Sequence, residues 1–368
     1  MPGGMHPPLE VIASWPPPNT VNPESHGPAS IVLSALFGGI AVITILIRLW
    51  TRCVIQRAGD ADDLLIALAL IPILGLVIAI PLGAYTYGEN HHTWDNNLTT
   101  LVNERKLAIA SEVFYVVAAG LVKSSALLFY RRMGKRTIAP RFIAVIWISI
   151  VSVTAYSVAF LVVIFASCRP FHAFWMQVDP VWSRTAKWQC YDEGAHLIAA
   201  SAISLVQDII ATILPAILCW NLQMPFRQRM ALNAVFGLGF ITAIIAGIRI
   251  YFICRLFYTS YDASWEVWYC WLFAMLEIVI AATCSSLPAV KVFLRWCQVP
   301  SILASYVRSI KYSHGSSGHK QSVVSQPHEP RCSGETDKFL LAQQAVSVTE
   351  LTRFHTPTRI HPLAGDSE

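Results

Sequence analysis

The sequence predicts an all-α membrane protein: a seven-transmembrane helix bundle with its N-terminus outside and its C-terminus in the cytosol. Three observations carry this expectation. Seven apolar stretches fill the chain from about Ile31 to Ala289, and a run of roughly 20 apolar residues spans the ~30 Å hydrocarbon core as a helix. Of the 368 residues, 55% are hydrophobic and only 13% are charged, whereas charged residues make up about 25% of a soluble domain. Lys and Arg concentrate in alternate loops, and such asymmetry sets membrane orientation.

Residues 1–29 are rich in proline (Pro7, Pro8, Pro16, Pro17, Pro18) and contain no Lys or Arg. A cleavable signal peptide begins with a basic region, so this segment is read as an outside N-terminus and the first span as an uncleaved anchor. The membrane domain is placed at 30–290. Its spans are expected at Ser30–Trp50, Asp63–Tyr85, Leu107–Tyr130, Arg141–Ala166, Ala195–Trp220, Met230–Cys254 and Glu266–Ala289. Pro72 and Pro81 fall inside the second and Pro215 near the end of the fifth; Pro288 is read as stopping the seventh. Prolines are tolerated in membrane helices where neighbours satisfy the freed carbonyls. Lys291, Phe293, Arg295, Trp296 and Cys297 suggest a juxtamembrane basic helix over 291–312, drawn to anionic inner-leaflet lipids. Cys297 there is a candidate for acylation. The Ser-, Gly-, Thr- and His-rich remainder, 313–368, is expected to be a disordered cytosolic tail.

The loop after the third span carries Arg131, Arg132, Lys135 and Arg136, with Arg141 at the next helix start. Arg52 and Arg57 follow the first span, and Arg227 and Arg229 the fifth. The opposite loops carry fewer: Arg105 and Lys106; Arg169, Arg184 and Lys187; Arg255. The N-terminus is therefore expected outside, and an odd number of crossings puts the C-terminus in the cytosol. Asn97-Leu98-Thr99 is a glycosylation sequon on that outer side. Cys168 and Cys190 flank the loop after the fourth span, on the side where disulfides persist, and are expected to pair. Cys254 and Cys270 are a weaker second candidate pair. Phe171, Phe174, Trp175, Trp182, Trp188, Trp265, Trp268, Tyr269 and Trp271 crowd the same side. They read first as an interfacial belt, and second as an aromatic mouth for an apolar ligand.

Five ionisable residues fall within the spans: Glu112, Lys123, Asp208, Arg249 and Glu277. Such groups are costly in hydrocarbon, so they face the bundle interior and pair. Glu112 and Lys123 are eleven residues apart, about three turns at ~3.6 residues per turn, and share one helix face. Depth suggests Glu112 with Arg249, and Lys123 with Asp208 or Glu277. Three acids against two bases leave one carboxylate over, to be protonated, to bind a cation or to meet a cationic ligand. Alternatively the whole set is a structural polar network. The one buried lysine lies on the third span, not the seventh, which argues against a retinal Schiff base. Asp60, Asp62 and Asp63 could hold Mg²⁺, but acids are ordinary at a helix start because they meet the positive end of its dipole. His91, His92 and Asp95 could hold a transition metal, though paired histidines in a loop are more often plain polar residues. No catalytic residue, metal site or cofactor is assigned. No basic stripe suggests nucleic acid.

From Lys123-Ser124-Ser125 through Tyr130-Arg131-Arg132 the chain resembles the fungal rhodopsin-domain integral membrane proteins. That group includes the satratoxin-cluster membrane protein family and the Pth-type receptor-like proteins. The matching pieces run over about 30–295. They include Arg48, Gly59-Asp60-Ala61-Asp62-Asp63, Gly88, His92, Trp94 and Asp95. Further along come Cys168, Pro170, Trp175, Asp208, Pro215, Trp220, Leu222, Gly239, Arg249, Glu277 and Pro288. The chain departs from the pattern at Gly88-Glu89-Asn90-His91-His92, which is poorer in glycine, and at Arg229, where a lysine is common. Residues 1–29 hold no cysteine-rich module.

The resemblance implies a fungal multi-pass membrane protein, receptor-like or associated with a secondary-metabolite gene cluster, that binds a small amphipathic molecule. Its partners would be the lipid bilayer, that metabolite and a cytosolic signalling protein. The Asp-Arg-Tyr and Asn-Pro-x-x-Tyr signatures of common G-protein-coupled receptors are missing from the sequence. An intramembrane acid-assisted enzyme such as a terpene cyclase stays open, with Asp208, Glu277 or Glu112 as proton donor, although no isoprenoid-diphosphate motif is present. A transporter is less favoured because no internal repeat is visible.

Overall fold

Sequence periodicity becomes helix throughout the computed structural model, which describes residues 7–19, 21–133, 140–220 and 226–314. The long helices are α1 (Ala29–Trp50), α2 (Ala61–Thr86), α3 (Leu98–Met133), α4 (Pro140–Phe165), α5 (Glu193–Trp220), α6 (Phe226–Cys254) and α7 (Ala263–His314). Among the described residues, seven helices are long and apolar enough to cross a membrane. The chain divides into two units, 1–305 and 306–368. Of the second, only the helical backbone of 306–314 is described. Lys135, Arg136, Leu222 and the tail from 315 onward lie outside the described residues.

Burial is inverted relative to a water-soluble fold. Large apolar side chains such as Ile31, Val32, Leu36, Ile43 and Leu46 on α1 are exposed, while Ser30, Ser34, Gly38, Ala41, Ile45 and Arg48 face inward. Lipid already solvates the apolar face, so packing between helices selects small and polar residues. At Gly38 a Cβ would stand 2.6 Å from Val77 Cγ2, which shows how closely α1 and α2 approach.

The most buried spans are α3 and α7, each with 56% of its apolar window inside, whereas α4 has 11% and lies at the rim. Helix α3 packs on α2, α4 and α5, and α5 packs on α6. Hydrogen bonds tie α7 to α1 (Trp268 Nε1 to Ser30 Oγ, 2.6 Å), to α3 (Tyr115 to Glu277) and to α6 (Arg249 to Glu277).

Two sequence-based boundaries are corrected. Helix α3 begins at Leu98 rather than Leu107: Glu104 and Arg105 in its early turns are buried and paired instead of solvated. Helix α7 continues through Pro288. A proline removes one N–H and disturbs the preceding turn, and within that turn Arg48 Nη1 donates to the Ser285 carbonyl (2.8 Å), a polar contact from a neighbouring helix of the kind that lets membrane helices tolerate proline. Pro72, Pro81 and Pro215 also lie inside their helices.

At the end of the bundle where α4 meets α5, Cys168–Arg169 (β1) pairs antiparallel with Gln189–Cys190 (β2). Cys168 and Cys190 are joined by the expected disulfide. Cys254 and Cys270 remain thiols, correcting the second candidate bridge. The N-terminal segment folds onto the same end. Ser25 bridges His91, and the His26 N–H donates to the Asn90 carbonyl (3.3 Å). Gly88, at φ 79°, makes the turn that leads into this contact.

Candidate functional site

The side chains that the sequence marked as costly lie in two places. Four of the five join in one chain of contacts. Arg249 Nε on α6 donates to Glu277 Oε2 on α7 (3.0 Å), and its Nη1 donates to Ser201 Oγ on α5 (2.9 Å). Its Nη2 donates to the Tyr115 hydroxyl on α3, which in turn donates to Glu277 Oε1 (2.8 Å). Ser204 links this group to Lys123, whose Nζ donates to Ser204 O (3.0 Å) and Oγ (2.8 Å) and pairs with Asp208 Oδ1 at 2.9 Å. The set holds two cations and two anions, so it is compensated, as burial of ionic groups requires.

The expected pairing of Glu112 with Arg249 is therefore replaced. Arg249 takes Glu277, and Lys123 takes Asp208. The reason is lateral position: Glu277 of α7 faces α6, whereas Glu112 lies nearly one turn from Tyr115 along α3, toward the disulfide end. Glu112 is buried, and among the described residues its carboxyl takes neither a hydrogen bond nor an ion pair. It borders a cavity instead.

That cavity lies between α3, α4, α5, α6 and α7 in the half of the bundle that carries the disulfide. The cavity and the open solvent at its mouth together span about 890 Å³. Val116, Phe160, Ile164, Leu197, Ile253 and Trp271 contribute apolar wall; Tyr115, Ser201 and Arg249 form a polar floor. Toward the mouth stand Glu89, Glu104, Arg105 and Glu193. Arg105 forks Glu193 through both terminal nitrogens (Nη1 to Oε1, 3.0 Å) and lies 4.2 Å from the centre of the Phe174 ring. Ser264 donates to Glu104 (2.9 Å). Burial, and secondly the neighbouring Glu104 carboxyl, hold the Glu89 carboxyl well above the ordinary carboxylate range. A few polar groups converging in a mostly apolar cleft is the usual form of a small-molecule site.

The aromatic residues of this end are partly buried. Trp175, Trp182 and Trp188 pack against the core, and Trp271 lines the cavity. At the same end of the bundle, the His26 ring stacks on Trp268 (4.2 Å) and lies tilted by 31° to Trp265 (3.7 Å), and His92 stacks between Trp94 (4.5 Å) and Trp265 (4.1 Å). His92 Nδ1 is bonded to Asp262, and Asp95 accepts from the Asn19 N–H (2.8 Å). At the opposite end Asp60 caps α2, with Asp63 accepting from the Asp60 N–H (3.3 Å), a capping box. Asp62 and Asp63 face Arg48 (2.9 and 3.2 Å), and Asp63 also meets Arg52 (3.2 Å). Arg132 stands 3.4 Å from Asp62. Asp60, Asp62 and Asp63 of one metal candidate, and His92 and Asp95 of the other, are thus engaged by protein partners. Asn97 is exposed at the entrance of α3, on the disulfide end.

Sequence reasoning missed Tyr115, Ser201, Ser204, Glu104, Arg105, Glu193 and Glu89 as site residues. A signal for two of them existed: Ser201 and Ser204 precede Asp208 by seven and four residues, the spacing of one helix face. Glu104 and Arg105 were assigned to a loop because the first turns of α3 are polar.

Comparison with known proteins agrees with this architecture. Residues 47–296 match the fungal rhodopsin domain family. The chain is 27% identical over 233 residues to the polyenoic acids biosynthesis gene cluster protein Ba17b of Metarhizium anisopliae, covering 61% of this chain and 60% of that protein. It is 26% identical over 220 residues to a SAT4 family membrane protein of Emericella nidulans, covering 59% and 53%. To Receptor GIN3 of Arthrobotrys oligospora it is 22% identical over 303 residues, covering 80% and 69%. The match thus spans 60% or less of the first two relatives' length. With most of its residues matched and seven apolar helices in its bundle, the chain belongs to the fungal rhodopsin domain family and is an integral multi-pass membrane protein.

Proposed function

We propose that this protein is receptor-like or serves a secondary-metabolite gene cluster, and that it binds a small amphipathic molecule in the cavity at its disulfide end. The cavity carries the reading: apolar walls above a fixed Tyr115–Arg249–Glu277 floor suit a molecule with an apolar body and one polar end. Relatives named for biosynthesis clusters and for a receptor support it. The disulfide end faces outside or the lumen, since disulfides persist in oxidising compartments, and Asn97 on that end carries the sugar. The arginine-rich end then meets the cytosol and any signalling partner. A ligand pressing on Arg249 or Tyr115 acts on α3, α6 and α7 together, and through Ser204 on Lys123. A second reading, an acid-assisted intramembrane enzyme, draws on the unpaired Glu112 carboxyl in the same cavity.

The test pairs a gene deletion with a blocked cavity. Lipid-soluble extracts are screened for fractions that raise the thermal midpoint of purified protein but not of Ala200→Phe, which fills the cavity wall. An extract fraction that stabilises only the open cavity supports binding, and no such fraction overturns it. In the deletion strain, a lost response to a signal with unchanged metabolites supports the receptor. Accumulation of a linear precursor supports the enzyme, and trapped product supports transport.

A further inference from the structure

We propose that the ligand of this cavity carries one cationic amine on an apolar body, with the Glu112 carboxylate as its counter-ion; this rests on the cavity being a binding site. The argument is a count of charges that already have partners. Arg249 is compensated by Glu277 at the floor. Arg105 and Glu193 neutralise each other in a forked pair. Glu104 accepts from Ser264, and Glu89 stands beside it toward the mouth, apart from the aromatic wall that Glu112 shares with Tyr156 and Phe160. Glu112 is left: it is only 9% exposed, it lines the cavity, and among the described residues it has no hydrogen bond or ion pair.

A carboxyl buried without a hydrogen bond or ion pair is costly to ionise, and an ammonium group placed beside it offsets most of that cost. The surroundings suit an organic cation. Tyr156, Phe160 and Trp271 line the same cavity, and aromatic faces attract ammonium groups. Among the described residues no three metal-ligating side chains converge, so the arrangement does not suit a bare metal ion. An anionic head is disfavoured for a separate reason. Both arginines at the cavity are already held by carboxylates, and separating either buried pair to bind an acid leaves one carboxylate uncompensated.

The test uses three probes with one tail: dodecylamine, dodecanol and dodecanoic acid. They are titrated onto the full chain in phosphatidylcholine nanodiscs, with Ala200→Phe as the blocked-cavity control. Dodecylamine is expected to bind the wild type about tenfold more tightly than either other probe. Glu112→Gln, close in shape, abolishes that preference, while Glu112→Asp retains part of it. The thermal midpoint of each variant reports that it is folded. If amine and alcohol bind alike, if the acid binds best, or if Glu112→Gln keeps the preference, the amine assignment is overturned while the cavity reading stands. If no probe distinguishes wild type from Ala200→Phe, the cavity reading falls with it.

Discussion

Arg249 and Glu277 meet at 3.0 Å between α6 and α7, and the Tyr115 hydroxyl of α3 bonds to both. Three helices are thereby held at one point by ionic contacts away from water. Removing one partner strands the other. Arg249→Met is expected to cost about 3–5 kcal/mol, and Arg249→Met with Glu277→Met clearly less than the sum of the single changes. Thermal unfolding in detergent across the double-mutant cycle checks this; strict additivity would sink the coupling.

Lys123 spends its donors on Asp208 and on Ser204 O and Oγ. Lys123→Asp alone puts two carboxylates together and should prevent accumulation of folded protein. Adding Asp208→Lys should restore part of it, because the charges match again although the lysine on α5 loses the Ser204 contacts. Size-exclusion yield of a fluorescent fusion reads the difference, and absence of rescue removes the pairing.

The Cys168–Cys190 bridge closes a loop with a sequence separation of 22. On the chain-entropy view such a loop contributes about 3 kcal/mol. Cys168→Ser, Cys190→Ser and the double change should lower the thermal midpoint equally, and a reductant should shift only the wild type. Unequal single variants would show that one cysteine acts outside the bridge.

Glu89 gives the protein a pH signature. Its carboxyl is raised above the ordinary 4.5 by burial and then by Glu104. Above pH 4.5 the unfolded chain has released this proton while the folded chain still holds it. The folded state binds more protons, so stability falls as pH rises from 4.5 toward the raised value. Glu89→Gln keeps the neutral hydrogen-bonding shape and should flatten that decline. Thermal midpoints measured from pH 4.5 upward check it, and a slope unchanged by the substitution would refute the assignment.

Orientation can be read from sugar. Asn97→Gln should abolish an endoglycosidase-sensitive mobility shift if the disulfide end is lumenal. A wild-type protein insensitive to the enzyme, with a sequon introduced at the arginine-rich end becoming modified, would reverse the topology.

The seven spans were legible because hydrocarbon imposes a one-dimensional rule: a long apolar run with few charges must cross. The same rule made Lys123, Asp208, Arg249 and Glu277 conspicuous, since an ionisable group is rare at that depth. It failed where polarity was local and burial was not. Glu104 and Arg105 read as loop because they are charged, yet they lie inside α3 and are buried. Pro288 read as a stop because backbone sterics are a local matter, whereas Arg48, distant in sequence, supplies a donor beside it.

By itself, then, the sequence determined the number of membrane spans and the residues that cannot face lipid, both of which follow from composition along one chain; of its two candidate cysteine pairs, tertiary structure joined Cys168 to Cys190 and left Cys254 and Cys270 as thiols. Which carboxylate meets which cation was decided only by tertiary structure. Pairing depends on how each helix is rotated and which neighbours it has. That geometry gave Arg249 to Glu277 and Lys123 to Asp208, and it left Glu112 facing an open cavity.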